Sequence, residues 1–101
     1  MPALRIGSGT TPPGQGWGNN GRGIYLDVDT SSAGFTGTPI YTSSLAGDGT
    51  MWDYVGASAI YNPTPTGFRV YIQHYRDTQT TGPDHAQRYN FHINWIGVDN
   101  P

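Results

Sequence analysis

Cysteine, lysine and glutamate are all absent from these 101 residues. Without cysteine there is no disulfide framework and no thiolate zinc site. Without lysine and glutamate the chain lacks two good helix formers, which weighs against a helical fold. Charge of either sign is scarce. Every one of the five bases is Arg (outside His) and every one of the seven acids is Asp, for a formal net charge of −2. That balance supplies no electrostatic footprint for nucleic acid or an anionic membrane, so neither partner is expected. No window is long and apolar enough for a membrane-spanning helix, and membrane insertion is not expected. The opening MPALRIGSGTTPPGQGWG holds no apolar stretch of signal-peptide length. The compartment stays open; action outside a cell or at its surface fits the composition.

Gly (15), Pro (8), Thr, Ser, Asn and Tyr fill the space instead, the vocabulary of turns and strands. The length fits one domain that buries roughly two thirds of its unfolded surface. Residues 1–23 read as a Gly/Pro-rich arm, extended or looped, whose sizeable apolar groups are Leu4, Ile6 and Trp17. Trp17 is expected to pin this arm to the body, residues 24–101. In GIYLDVDT, Ile24, Leu26 and Val28 alternate with Tyr25, Asp27 and Asp29, which predicts a half-buried strand. IYTSSL (40–45) and YVGASAIY (54–61) read as further strands, and Phe35 as a core plug. NPTPTG reads as a rigid turn, Phe68 to about Arg76 as a strand, and DTQTTGPDHAQ as a hairpin loop. RYNFHINWIGV (88–98) closes the fold, with Tyr89, Phe91, Ile93 and Trp95 on one face and Asn90, His92, Asn94 and Ile96 on the other. The whole predicts an all-β protein, a small antiparallel β-sandwich or barrel of about six strands.

The chemistry gathers at one strand end, where His74, Tyr75, Arg76 and Asp77 follow one another. A ligand-contacting mixture combines an aromatic ring for apolar CH groups with planar polar groups for hydroxyls. Tyr75 with Arg76, Asp77 and Asp53 supplies that mixture, and Tyr75 points outward by parity. A second reading packs Tyr75 at a subunit interface and pairs Arg76 with Asp77 or Asp84. The outward set Arg69, Tyr71, Gln73 and Tyr75 suits a surface that meets another subunit, or equally a neutral hydrated face. Trp52, beside Asp53 in a loop, reads as a cap on the sandwich, with stacking on a ligand as the alternative.

Other constellations carry less. His74, Asp77, His85 and His92 lack the tight spacing of a metal site, and no metal is expected within one chain. On a three-fold axis, copies of His92 could meet around an ion. Asp27 and Asp29 stand about 6.5–7 Å apart on one strand face, a separation compatible with glycoside hydrolysis or calcium. No apolar pocket is evident to raise one of their pKa values, and hydrogen bonds to Ser, Thr or backbone are the expected role. There is no Ser-His-Asp pattern, and GSGTTPPG lacks the Lys and helix of a phosphate loop. Neither enzyme activity nor a cofactor is expected.

Three features occur in order: GW near the start, TGF after a Pro-containing turn, and a closing strand of the form Tyr-x-x-x-Ile-x-Trp-Ile-x-Val. Tyr61, Pro65, Thr66, Gly67, Phe68, Tyr89, Ile93, Trp95 and Ile96 carry the pattern, which spans about residues 16–98. It resembles the H-type lectins, the family of the snail agglutinin that binds N-acetylgalactosamine. The resemblance implies a small antiparallel sandwich, assembled as a homotrimer or a pair of trimers, with sugar sites at one end near subunit boundaries. It places Tyr75 where the family has an aromatic, often Trp, and Arg76 where the snail protein has His. It matches Tyr89 to the Tyr that opens the last strand, and Gly21 to a loop Gly that touches the sugar. Gly23 stands where the family has a loop Asp, with Asp27 nearby, and Val55 where it has an Arg. The implied function is a lectin for galactose- or N-acetylgalactosamine-type or related glycans, multivalent through its oligomer. The alternative is a structural trimerisation or receptor-binding tip of a fibre or adhesion protein.

Overall fold

Alternating side chains on the longer strands decide this fold, because each of them offers one face to a shared interior. The computed structural model describes residues 3–100. In chain order the elements are β1 (Arg5–Thr10), β2 (Gly18–Asn20), β3 (Gly23–Asp29), β4 (Ile40–Ala46), β5 (Tyr54–Val55), β6 (Tyr61–Thr64), β7 (Gly67–His74), a helix α1 (Pro83–Arg88) and β8 (His92–Asp99), with 3-10 turns at Ser31–Ala33 and Met51–Asp53. One antiparallel sheet runs β1-β8-β4. The other runs β2-β3-β7, and β5 and β6 share the far edge of β7. Together they form a small all-β sandwich.

The interior follows the predicted parity. Ile24, Leu26 and Val28 of β3 pair in register with Ile72, Val70 and Phe68 of β7, and all six are buried. Tyr41 of β4 and Ile93 and Trp95 of β8 cover them from the other sheet, and Phe35 joins that core as expected.

Residues 1–23 are more deeply involved than an arm: β1 enters one sheet and β2 the other. The inward positions of β1 are Gly7 and Gly9, since a Cβ on Gly9 would lie 2.9 Å from the Trp95 ring. Leu4 and Ile6 therefore do not anchor the segment; both are exposed. Trp17 does, buried with its indole Nε1 donating to the Phe91 carbonyl at 3.0 Å.

Four boundaries differ from the sequence reading. Residues 54–61 are not one strand. The chain leaves β7 at Gly56, whose φ of +107° favours glycine, and Ala59 N donates back to Gly56 O at 3.0 Å. It rejoins the same edge as β6, so only Pro65 and Thr66 of NPTPTG remain a turn. Pro63 is tolerated there because β6 is an edge strand. The expected hairpin loop contains α1, which begins with Pro at its first position and buries Ala86. Its last turn is closed by Tyr89 N donating to His85 O at 3.1 Å. The final strand therefore starts at His92, and Tyr89 precedes it instead of opening it.

Candidate functional site

At the end of β7 the pleat stops. The rings of His74 and Tyr75 stack at 5.0 Å and 24°, which neighbours on opposite faces of a regular strand could not do. Tyr75 N donates to Asp53 O at 2.8 Å, extending the pairing of β5 with β7 by one bond. Parity therefore does not set the direction of Tyr75, but its ring is 55 % exposed.

Arg76 folds back on Tyr75. Its Nε donates to the Tyr75 hydroxyl at 2.8 Å, and its guanidinium lies 5.4 Å from the ring centroid. Its backbone N–H donates to His74 Nδ1 at 3.1 Å. The bond to Tyr75 raises the Arg76 pKa, and the Asp53 carboxylate adds to the effect. Among the described residues Arg76 makes no ion pair with Asp77 or Asp84.

Gly21 lies in the turn between β2 and β3 at φ +60°, and nothing stands within 4 Å of where its Cβ would be. Its neighbour Arg22 ties that turn to the loop after β7. The Arg22 guanidinium donates to the Asp77 carbonyl, and the Arg22 carbonyl accepts from Thr81 N at 2.9 Å. The same end of the sandwich thus holds Tyr75, Arg76, Asp77, Asp53 and Gly21.

Tyr89 is set apart. A ladder of rings crosses the end of the sandwich: Tyr75 to His74 at 5.0 Å, His74 to Tyr54 at 5.6 Å, Tyr54 to His85 at 5.4 Å, and His85 to Tyr89 at 4.7 Å. Tyr89 also packs toward Phe91 at the edge of the core. Tyr54, missed in the sequence, is the centre of this ladder. Its hydroxyl lies 2.9 Å from Thr81 Oγ1, which secures the loop, and burial pushes its pKa up. His85 Nε2 meets Thr50 Oγ1 at 3.0 Å, and burial holds the His85 pKa below its ordinary value. The pair of aromatics Trp52 and Tyr54, flanking Asp53, was the available signal.

Trp52 does not cap the sandwich. In the 3-10 turn Met51–Asp53, Met51 and Tyr54 pack on the core, and at three residues per turn Trp52 is thrown outward, 91 % exposed.

Asp27 is committed elsewhere. Its carboxylate takes a bidentate pair from Arg69, Nε–Oδ1 2.6 Å and Nη2–Oδ2 2.9 Å, which lowers its pKa. The expected partner was Ser, Thr or backbone; the residue that reaches it is Arg69, its register neighbour on β7. Asp29 does bond as expected, accepting from Ser31 N at 2.9 Å. A cleft of about 450 Å³ opens at this opposite end of β3 beside Asp27, Asp29 and Trp95. No group of three or more His, Asp, Cys or Glu gathers among the described residues. His92 Nδ1 lies 2.8 Å from the Asn90 carbonyl oxygen.

The rim offers an exposed phenol ring and a guanidinium fixed to its hydroxyl, with the Asp53 carboxylate close enough to act on Arg76, a set suited to a neutral polyhydroxylated ligand. No family model matches the chain, and no curated protein matches it significantly.

Proposed function

We propose that this protein is a carbohydrate-binding module, a lectin of H-type character, that works as a homotrimer. The observation that carries the reading is the pair Tyr75–Arg76: an exposed ring with a guanidinium fixed to its hydroxyl at 2.8 Å. The ring supplies a stacking surface. The guanidinium, held beforehand, loses little freedom when hydroxyls bind to it. Galactose- and N-acetylgalactosamine-type glycans are the ligands that the resemblance brings.

A shallow site of this kind is weak, because desolvating sugar hydroxyls offsets much of the gain. Several sites on one assembly recover useful avidity. The outer face of the β1-β8-β4 sheet supports such an assembly. Ile6, Val98 and Ile40 form one row across it in register, and Ile96 stands in the next. Ile6 and Ile40 are 60 % and 73 % exposed. Below them come only Ser, Thr, Asn, Ala and His92. With no Asp or Arg on the face, a second copy meets it without repulsion and without burying an ion. The same face favours the second reading, a trimerisation or receptor-binding tip, if no sugar binds.

A glycan array with light scattering on the same sample tests the proposal. Binding inhibited by free sugar, lost in Tyr75→Ala while the assembly mass is kept, supports the lectin reading. An assembled protein that binds no glycan moves the assignment to the structural tip.

A further inference from the structure

Next to the rim, on the outer face of the larger sheet, lies a cleft of about 260 Å³. Tyr61 and Tyr71 form its corner: the rings meet edge-on, 4.8 Å apart at 88°. Asn20 and Gln73 line it with exposed carboxamides, and Gly23 and Gly56 leave part of its lining as bare backbone. No charged residue lines it.

The corner is held in place from outside. Arg69 Nη1 donates to the Tyr71 hydroxyl at 3.3 Å, and Arg69 is itself clamped by Asp27 and lies 4.3 Å over the Tyr25 ring. The chain also joins this cleft to the rim. Asn20 precedes Gly21, and Gln73 stands two residues before Tyr75.

We propose that this cleft is a second subsite, which takes the next pyranose ring of an oligosaccharide whose first ring sits at Tyr75. The inference rests on the lectin reading. The tyrosine corner covers the CH face of that ring, and the two carboxamides each exchange paired hydrogen bonds with neighbouring hydroxyls. The absence of charge selects neutral hexoses over uronic or sialic acids, whose carboxylates would lose hydration here without a partner.

Titration calorimetry with N-acetylgalactosamine, and with a neutral trisaccharide carrying it at the non-reducing end, tests this. The trisaccharide is expected to bind about tenfold tighter, the scale of one added aromatic contact with its hydrogen bonds. Tyr61→Ala removes that gain and leaves the monosaccharide affinity unchanged, and Gln73→Ala, at an exposed position, reduces it. Tyr75→Ala weakens both sugars. Equal affinities for the two sugars, or a gain that survives Tyr61→Ala and Gln73→Ala, overturns the subsite and leaves the lectin reading standing. Absence of binding to either sugar overturns both.

Discussion

The hydroxyls of Thr30 and Tyr41 meet at 2.7 Å between the two sheets, and the Tyr41 hydroxyl donates a hydrogen bond to the Thr64 carbonyl, also at 2.7 Å. A phenol has one proton, so Thr30 is the donor of the pair. Thr30 is fully buried, which places this short chain of hydrogen bonds inside the sandwich. Burial dominates the environment of Tyr41 and raises its pKa.

Tyr41→Phe leaves the Thr30 hydroxyl and the Thr64 carbonyl without this partner. It is expected to cost about 1–3 kcal/mol. For a domain of this size that lowers Tm by roughly 4–8 °C per kcal/mol. The double variant Tyr41→Phe with Thr30→Val removes both partners and is expected to recover part of the loss. Thermal denaturation of the four proteins measures the coupling.

Acid is expected to destabilise the fold before Asp27 and Asp29 titrate. Burial lowers the His85 pKa, so the folded protein resists a proton that the unfolded chain accepts near pH 6.5. Between the folded value and about 6.5 the unfolded state binds more protons, so stability falls as pH falls. Above that window the His85 contribution is complete. Asp27 and Asp29, with lowered pKa values, lose their contribution only below the ordinary carboxylate range. Urea midpoints at pH 7.5 and 5.5 should show the lower value at 5.5, with a smaller difference in His85→Gln.

Two tryptophans should respond in opposite ways. Trp52→Ala removes an exposed ring, and the folding free energy should change by no more than about 0.5 kcal/mol. Trp17→Ala empties a buried site and breaks the bond to Phe91, with an expected loss of about 3–5 kcal/mol. Denaturant titration separates the two. A large loss in Trp52→Ala would return that residue to a capping role.

Self-association should depend on the aliphatic row. Ile40→Asp puts a carboxylate at its most exposed member. The substitution should lower the assembly mass in light scattering to that of one chain and leave the circular dichroism of the fold intact. An unchanged mass would exclude this face from the interface.

The sequence showed most where burial is periodic. Ile24, Leu26 and Val28, then Phe68, Val70 and Ile72, alternate cleanly, and β3 and β7 run close to where they were expected. β1 inverts the rule: glycines face the core and Ile6 faces out, so the pattern reads as a polar arm. The helix α1 has six residues and a single buried Ala86, too little for a helical period. At the candidate site, Tyr75, Arg76, Asp77 and Asp53 were legible as a chemically dense strand end. The ring ladder through Tyr54 and His85 was not, because it joins β5, β7 and α1 across the fold. Nor was the clamp of Asp27 on Arg69, which exists only once strand register is known.

The smaller sheet has a consequence for how the chain is made. Its central strand, β8, is the last of the described strands to be synthesised, while its two flanks, β1 and β4, come much earlier. Such a sheet has high contact order and closes slowly. Until β8 emerges, β1 and β4 wait with unpaired edges, carrying Ile6 and Ile40. The nascent chain is therefore most open to aggregation in the interval just before its final strand arrives.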